Sequence, residues 1–442
     1  MTIYRFKHLQ EVSGSMLKNY KFGNGLVWLL IIFVLPLPLL QATYYELPAL
    51  YHDTLMPIQF GTLAYIWMLA AIYLATRPRW LDRLIGLPSM YLVHGIISIL
   101  AIGLAFVHKL LLPSSGWIKW TGDWGLYLFI AVGVYSLIFL AGWLTNRVPV
   151  LNHLKHCLET LFQHEISVWL HRLNLVATAL VIIHVILIPY ILAMHNYMML
   201  FGAYTGIVAL SYLVSVYRVH FQQPTGELIE LDQLADNVVQ LSVKMPRLRR
   251  QFQTGDFVFI AFPNLPGMKE PHPFSLANNP LADGQLELIV REDGDFTKSL
   301  ASVPIGTPVK ILGGYGRFQN FIDEHPGTQL AMISGGIGVV PLLSIINNNL
   351  EKPVHIFYSA QKQTDFLHLD QFDYWNTTPN FSSQLQVGRF KDAQLENYLA
   401  TIDVNHTIFL VSGPAALGQH WQRFLKKHGI RGWQIYYEEF GW

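Results

Sequence analysis

Four histidines in two apolar stretches are the residues best placed to do chemistry in this chain. His94 and His108 lie 14 residues apart in one stretch, and His171 and His184 lie 13 apart in another. A helix rises about 1.5 Å per residue, so 14 residues cover about 21 Å. Each stretch, if it crosses a bilayer, carries one imidazole toward each face. Two such helices side by side can clamp two stacked haems, a wire for single electrons. At 100° per residue, 14 steps return to within about 40° of the same helix face, whereas 13 steps miss by about 140°. The second stretch must then be locally distorted, or its histidines approach from different angles.

Two other readings compete. Membrane histidines can sit in a bundle interior, hydrogen-bonded and without metal. A metal-ion transporter with a nucleotide-sensing domain would also place histidines there, but that route usually adds carboxylates, and these stretches contain almost none. Polar groups at membrane depth are costly and point to function.

The elements that must position these residues are long apolar runs. The 442-residue chain is 52% hydrophobic and only 13% charged, with the apolar character concentrated before about residue 219. Six spans are expected, at roughly 26–43, 58–75, 89–111, 124–144, 167–189 and 200–217, each near the ~20 residues that cross the hydrocarbon. Arg77, Arg79, Arg83, Arg147, Lys155 and Arg218 fall on one side of this layout together with the basic N-terminal flank, whereas Lys109 and Lys119 fall on the other. Basic loops stay cytosolic. The N-terminus and everything after residue 218 are therefore expected in the cytosol, and the protein in the cytoplasmic (plasma) membrane. This topology puts His94 and His171 toward the cytosol, and His108 and His184 toward the outside. A net charge of +1 implies no nucleic-acid partner. The single cysteine, Cys157, excludes an internal disulfide and argues against an iron–sulfur cluster. His153, His156 and His164 read as solvated surface of a cytosolic connection, and His52 and His195 lie at the outer side. Arg172, beside His171, is either a haem-propionate partner or an interfacial arginine.

The rest of the chain reads as soluble. From 228 to about 312, short runs such as "DFVFIAF" and "QLELIVRE" alternate with turns, as in a small antiparallel barrel. From 327, buried strands alternate with helices, a parallel α/β nucleotide-binding pattern. Within the first part, "HPFS" (His272, Pro273, Phe274, Ser275) offers backbone donors, an aromatic face and a hydroxyl to an isoalloxazine. "GDFTKSL" opens a helix with Thr297 as its expected cap, and Lys298 beside it suits a pyrophosphate. In the second part, "GGIGVVP" (Gly335, Gly336, Gly338, Pro341) follows a strand and opens a helix, a dinucleotide turn although not a strict G-x-G-x-x-G. "SGP" (Ser412, Gly413, Pro414) ends a later strand where a nicotinamide can be held. Phe440 or Trp442, at the aromatic C-terminus, can cover a flavin face.

Together these motifs resemble the NADPH oxidase and ferric reductase superfamily, most closely its bacterial NADPH oxidase-like members. The resemblance runs from about residue 58 to the end and rests on the histidine pairs, "LHRL", "HPFS", "GDFTK", "GYGRF" at 314–318, "GGIG-x-x-P", the terminal aromatic, and their order. It implies a six-span membrane α-helical bundle at 1–219, a ferredoxin-reductase-like FAD-binding β-barrel at 226–322, and an NAD(P)H-binding α/β parallel-sheet domain at 327–442. Hydride would pass from NAD(P)H to FAD, and single electrons through two b-type haems to an external acceptor. That acceptor is expected to be O2, giving superoxide; the alternative is a ferric or cupric chelate reductase on the same path. Carried over, His94 with His171 would ligate the inner haem, and His108 with His184 the outer. His272 to Ser275 with Thr297, Lys298 and Phe440 would hold FAD, Phe440 stacking on the flavin. Gly335, Gly336, Gly338, Pro341, Lys362, Ser412, Gly413 and Pro414 would hold NAD(P)H. Phe440 and Ser412 are the catalytic candidates. Many members carry Cys-Gly-Pro where this chain has Ser412-Gly413-Pro414, which bears on the rate of hydride transfer. Lys362 is the candidate for a 2′-phosphate, the basis of a lean to NADPH. Outside, Lys109 and Lys119 are the cations able to attract an anionic acceptor or product, and Glu46 and Asp53 the carboxylates able to receive a cation. No regulatory domain precedes the spans, so constitutive activity with no obligatory protein activator is expected.

Overall fold

The computed structural model describes residues 23–139, 169–221, 224–246 and 252–439. The expected flavin-covering Phe440 and Trp442 lie outside these residues, as do the 145–166 connection with Cys157 and the end of the 124–144 span. The chain forms two compact units. One comprises Phe22–Leu81 and Leu87–Arg218; the other contains Asp82–Gly86 and Val219 onward.

The first unit is helical. Among the described residues, five helices are long and apolar enough to cross a membrane: Gly25–Glu46, Ala49–Ala75, Leu87–Leu111, Trp169–Ile186 and His195–Val219. A further helix, Gly116–Phe139, coincides with the start of the expected 124–144 span. The helices that matter below are α1 (Leu55–Ala75), α2 (Leu87–Leu111), α3 (Gly116–Phe139), α4 (Leu173–Ile186) and α5 (His195–Phe221). Their order of packing is α1 on α2 and α3 on α4, with α2 also touching α3. Buried Tyr65 stacks on Phe201 at 4.7 Å, and its hydroxyl bonds Thr205 Oγ1 at 2.7 Å. Small polar contacts of this kind join helices where apolar burial cannot. Ile207, Leu210 and Leu213 on α5 are more than 60% exposed. Such a run of large apolar side chains facing outward is what a lipid-covered helix presents.

The approach to α4 is wound tighter than an α-helix. Arg172 N–H bonds Trp169 O at 3.1 Å and Leu175 N–H bonds Arg172 O at 2.9 Å, both i→i+3. Such turns advance about 120° per residue instead of 100°. These bonds mark a local departure from regular α-helical winding next to His171.

The second unit holds two sheets. The first is antiparallel, with β1 (Thr225–Ala235), β2 (Val238–Lys244), β3 (Phe257–Ala261), β4 (His272–Ser275), β5 (Gln285–Arg291) and β6 (Pro308–Tyr315) in the order β4-β3-β6-β1-β2-β5. A bridge from Leu276 to Leu288 on β5 draws the two edges together, as barrel closure requires. Its interior is apolar, with Leu241, Val258, Ile260, Leu288 and Ile311 fully buried. The second sheet is parallel, with β7 (Gln329–Gly335), β8 (Val354–Ala360), β9 (Phe381–Val387), β10 (Thr407–Gly413) and β11 (Ile435–Glu439) in the order β11-β10-β7-β8-β9. Helices cover both faces, which is why β7 and β10 read as unbroken apolar runs.

Candidate functional site

In the helical unit the four histidines meet as two pairs. The rings of His94 and His171 stand 5.9 Å apart, centre to centre, and those of His108 and His184 stand 6.4 Å apart. Among the described residues no cluster of three or more His, Cys, Asp or Glu side chains is placed to hold a metal ion. Each Nδ1 has a partner. His94 faces Ala71 O at 2.9 Å, His108 faces Pro57 O at 2.8 Å, and His184 faces Ile118 O at 2.8 Å. His171 faces the Ser136 hydroxyl at 2.8 Å. A carbonyl only accepts, so it fixes the Nδ1–H tautomer and leaves the lone pair on Nε2. That is the state a metal-binding imidazole needs. Two metal–nitrogen bonds of about 2 Å, plus the reach from each nitrogen to its ring centre, also come to roughly 6 Å. The donors fit a bis-histidyl group between each pair.

His108 and His184 are also braced. A Cβ added at Gly122 would lie 3.0 Å from His184 Nδ1, and one at Gly61 would lie 2.8 Å from His108 Nδ1. Neither glycine stood out in the sequence, because the contact exists only between packed helices. Arg172 is exposed beside His171. Three of the polar residues expected to steer an acceptor, Lys109, Lys119 and Glu46, are engaged with the protein. Lys109 Nζ reaches Asp123 at 2.8 Å, and Lys119 pairs with the same carboxylate. Glu46 accepts from Asn196 N at 3.1 Å and Tyr197 N at 3.0 Å, capping the start of α5.

In the second unit, HPFS forms a strand of its own. His272 pairs with Ile260 and Ser275 with Phe257 on β3, and all four residues are half-buried. A short helix, α6 (Asp295–Ser299), stands beside it. Phe296 joins the two motifs: its ring lies 4.2 Å from that of His272 and 6.0 Å from that of Phe274. Thr297 is not the N-cap. Gly294 holds that position, and Thr297 Oγ1, in the third helical residue, accepts from Gly294 N–H at 2.8 Å. Lys298 is exposed.

The nucleotide motifs share one edge. GGIG follows β7 and SGP ends β10, and these strands are neighbours. The sheet reverses its strand order between them, the switch point at which open α/β sheets bind ligands. Glycine is required here for backbone approach. A Cβ at Gly338 would stand 2.6 Å from Gly413 Cα and 2.7 Å from Ser412 O. Gly336 adopts φ +55, and Pro341 sits in the first turn of α7 (Val340–Asn348). Pro414 caps α8 (Ala415–Lys427). Ser412 is fully buried, and its hydroxyl donates to Gly338 O at 2.6 Å, tying the two loops together. Lys362 is exposed beyond the carboxyl end of β8.

Sequence reasoning missed a buried charge cluster in this unit. Arg83 donates to both Asp256 oxygens, at 2.6 and 2.7 Å, and to Gly316 O and Gly314 O at 2.7 and 3.0 Å. The GYGRF turn is thus fastened by a bidentate ion pair. Burial disfavours the Arg83 charge, but the Asp256 carboxylate outweighs this and holds the guanidinium above its ordinary value. Glu438, beside Ser412 in the β10–β11 register, is buried; burial, with Asp82 and Asp256 nearby, pushes its carboxyl well above the usual range.

Residues 225–328 match the FAD-binding domain family. Methane monooxygenase component C of Methylosinus trichosporium is 29% identical over 158 residues, 33% of this chain and 45% of that protein. The reductase component of phenol 2-monooxygenase from Pseudomonas sp. (strain CF600) is 30% identical over 165 residues, 36% of this chain and 45% of that protein. The chain thus spans less than half the length of these relatives. Among solved structures, an Amycolatopsis cytochrome P450 reductase is 20% identical with a TM-score of 0.44, covering 49% of this chain and 69% of that one. The cytochrome b5 reductase domain of Ulva prolifera nitrate reductase is 17% identical with a TM-score of 0.43, covering 49% and 97%. The chain carries a flavin-dependent NAD(P)H reductase module, with FAD held in its antiparallel-sheet part.

Proposed function

We propose that the protein is a transmembrane oxidoreductase that takes electrons from cytosolic NAD(P)H and delivers them to an acceptor outside. The observation that carries this reading is the set of four histidines. They meet in two facing pairs, and each Nδ1 has a partner within hydrogen-bond distance; for His94, His108 and His184 that partner is a carbonyl, which leaves the Nε2 lone pair free to ligate. When bound, FAD would turn the two-electron hydride of the nicotinamide into single electrons, and two b-type haems would carry them through the apolar layer. Six spans in a lipid bilayer, with the reductase module on the cytosolic side, complete this arrangement.

The chain's own residues supply binding and orientation. His272 to Ser275 and Phe296 form the aromatic wall for the isoalloxazine, and α6 with Lys298 receives the pyrophosphate. Gly335 to Gly338 and Ser412 to Pro414 present backbone to the nicotinamide nucleotide, and Lys362 stands at the strand end where a 2′-phosphate would lie. Each pair would hold its group by two histidines, His94 with His171 and His108 with His184, and would supply single-electron transfer, not binding of the acceptor to a metal. Lys109 and Lys119 adjoin the outer-site residues His108 and Ile118, and both are already paired with Asp123. A neutral acceptor therefore fits better than an anionic ferric chelate, and O2 reduced to superoxide is the reading adopted.

The test is the absorbance of the purified full chain, with haem counted per polypeptide. Two b-type haems, together with NAD(P)H-driven cytochrome c reduction that superoxide dismutase suppresses, are expected. Absence of haem overturns the electron-transfer reading. Reduction insensitive to the dismutase, with fast anaerobic turnover of ferric citrate, moves the assignment to a chelate reductase.

A further inference from the structure

Three of the four histidines face backbone carbonyls, which accept and never donate. His171 alone faces a side chain, the Ser136 hydroxyl on α3, at 2.8 Å. A hydroxyl can do either. If it donated to Nδ1, the ring hydrogen would sit on Nε2 and His171 could bind no metal. The same hydroxyl, however, lies 2.7 Å from Val132 O, one turn back on its own helix. Such i−4 back-bonding takes the single hydroxyl proton and leaves the oxygen lone pairs to accept from Nδ1–H. The back-bond also polarises the hydroxyl and strengthens it as an acceptor.

We propose that Ser136 is a positioning residue that fixes the ligating tautomer of His171 and makes the His94–His171 site electronically distinct from the His108–His184 site. The proposal rests on the bis-histidyl reading given above. It follows from the acceptor types: the outer pair leans on two carbonyls, the inner pair on one carbonyl and one hydroxyl. An acceptor on Nδ1–H raises the basicity of the ligating nitrogen, and losing such a partner typically costs about 10- to 100-fold in metal affinity.

The experiment is a potentiometric titration of the haem absorbance of the purified full chain, with haem counted per polypeptide. Ser136→Ala is expected to move one haem component to higher potential, or to release that haem with about 10-fold weaker binding or more, while the other component stays in place. Ser136→Thr, which keeps a hydroxyl able to make the same back-bond, is expected to restore the wild-type titration. Should the alanine variant fail to fold, Ser136→Cys substitutes: its weak thiol acceptor is expected to shift the same component upward. Two haems with unchanged potentials in the folded alanine or cysteine variant overturn the role of Ser136 and leave the wire intact. A wild-type protein without haem overturns both.

Discussion

Gly61 and His108 are in contact so close that no side chain fits between them. A Cβ at position 61 would lie 2.8 Å from both Nδ1 and Cε1 of the imidazole. Gly61→Ala must therefore push the ring, or α1, aside, at a cost of about 1–3 kcal/mol for an overpacked site. Haem content is expected to fall from two toward one per chain, measured by absorbance. Gly133→Ala is the control. It meets only Ile102 Cδ1, at 3.1 Å, a methyl that can turn away, and both haems should stay.

His108→Ala separates the two halves of the path. It is expected to abolish external acceptor reduction and leave bleaching of the flavin by NAD(P)H unchanged, followed under anaerobic conditions. Undiminished external reduction would show that the outer pair is not on the route.

Asp256→Ala removes one partner of a buried bidentate pair and strands the Arg83 charge. Breaking such a pair costs about 3–5 kcal/mol when the survivor stays buried. Arg83 is 20% exposed, so a loss near the lower end is expected, read as earlier thermal release of flavin fluorescence.

The nucleotide domain should be acid-sensitive. His355 stacks on Tyr398 at 4.4 Å and bonds Ser382 Oγ at 2.6 Å, and burial lowers its pKa from 6.5 to about 4. The folded state then binds fewer protons than the unfolded state between these values. Stability from this residue is complete above about 6.5 and is lost as the pH falls toward 4. His355→Gln keeps a partner for Ser382 and cannot titrate. Thermal unfolding across this window should therefore fall less steeply with acid in the variant.

Ser412→Ala is expected to act on binding more than on chemistry. It leaves Gly338 O without the hydroxyl at 2.6 Å, a loss of about 1–3 kcal/mol for a buried group. The GGIG loop is freed, so KM for the nucleotide should rise. A fall in kcat alone, with KM unchanged, would place Ser412 at the hydride step instead.

Much of this architecture could be read from one-dimensional patterns. Span lengths, the histidine pairs, the change from alternating strands to βαβ order, and the glycines at strand ends are local features. Five of the expected spans have counterparts among helices long and apolar enough to cross a membrane, and the α/β pattern emerges as a parallel sheet with GGIG and SGP on one edge. Reading failed where a side chain's partner is decided by packing and not by sequence period. Thr297 looked like a helix cap, yet Gly294 takes that place and Thr297 Oγ1 bonds back to its N–H from the third helical position. Lys109 and Lys119 looked like free outer cations, yet Asp123 holds both. Arg83 looked like a topological signal only, yet it holds the GYGRF turn.

The sequence by itself determined which residues are available: two imidazoles on each of two apolar helices, and a reductase module behind them. Composition and period suffice for the helices, because hydrophobic burial and helix geometry act locally; the reductase module is what the resemblance of the motifs implies. Tertiary structure decided how each imidazole is held. The partners of His94, His171, His108 and His184 lie 23, 35, 51 and 66 residues away. Only the packed helices bring Ala71, Ser136, Pro57 and Ile118 to the four Nδ1 atoms, and a hydrogen bond works only within about 3 Å.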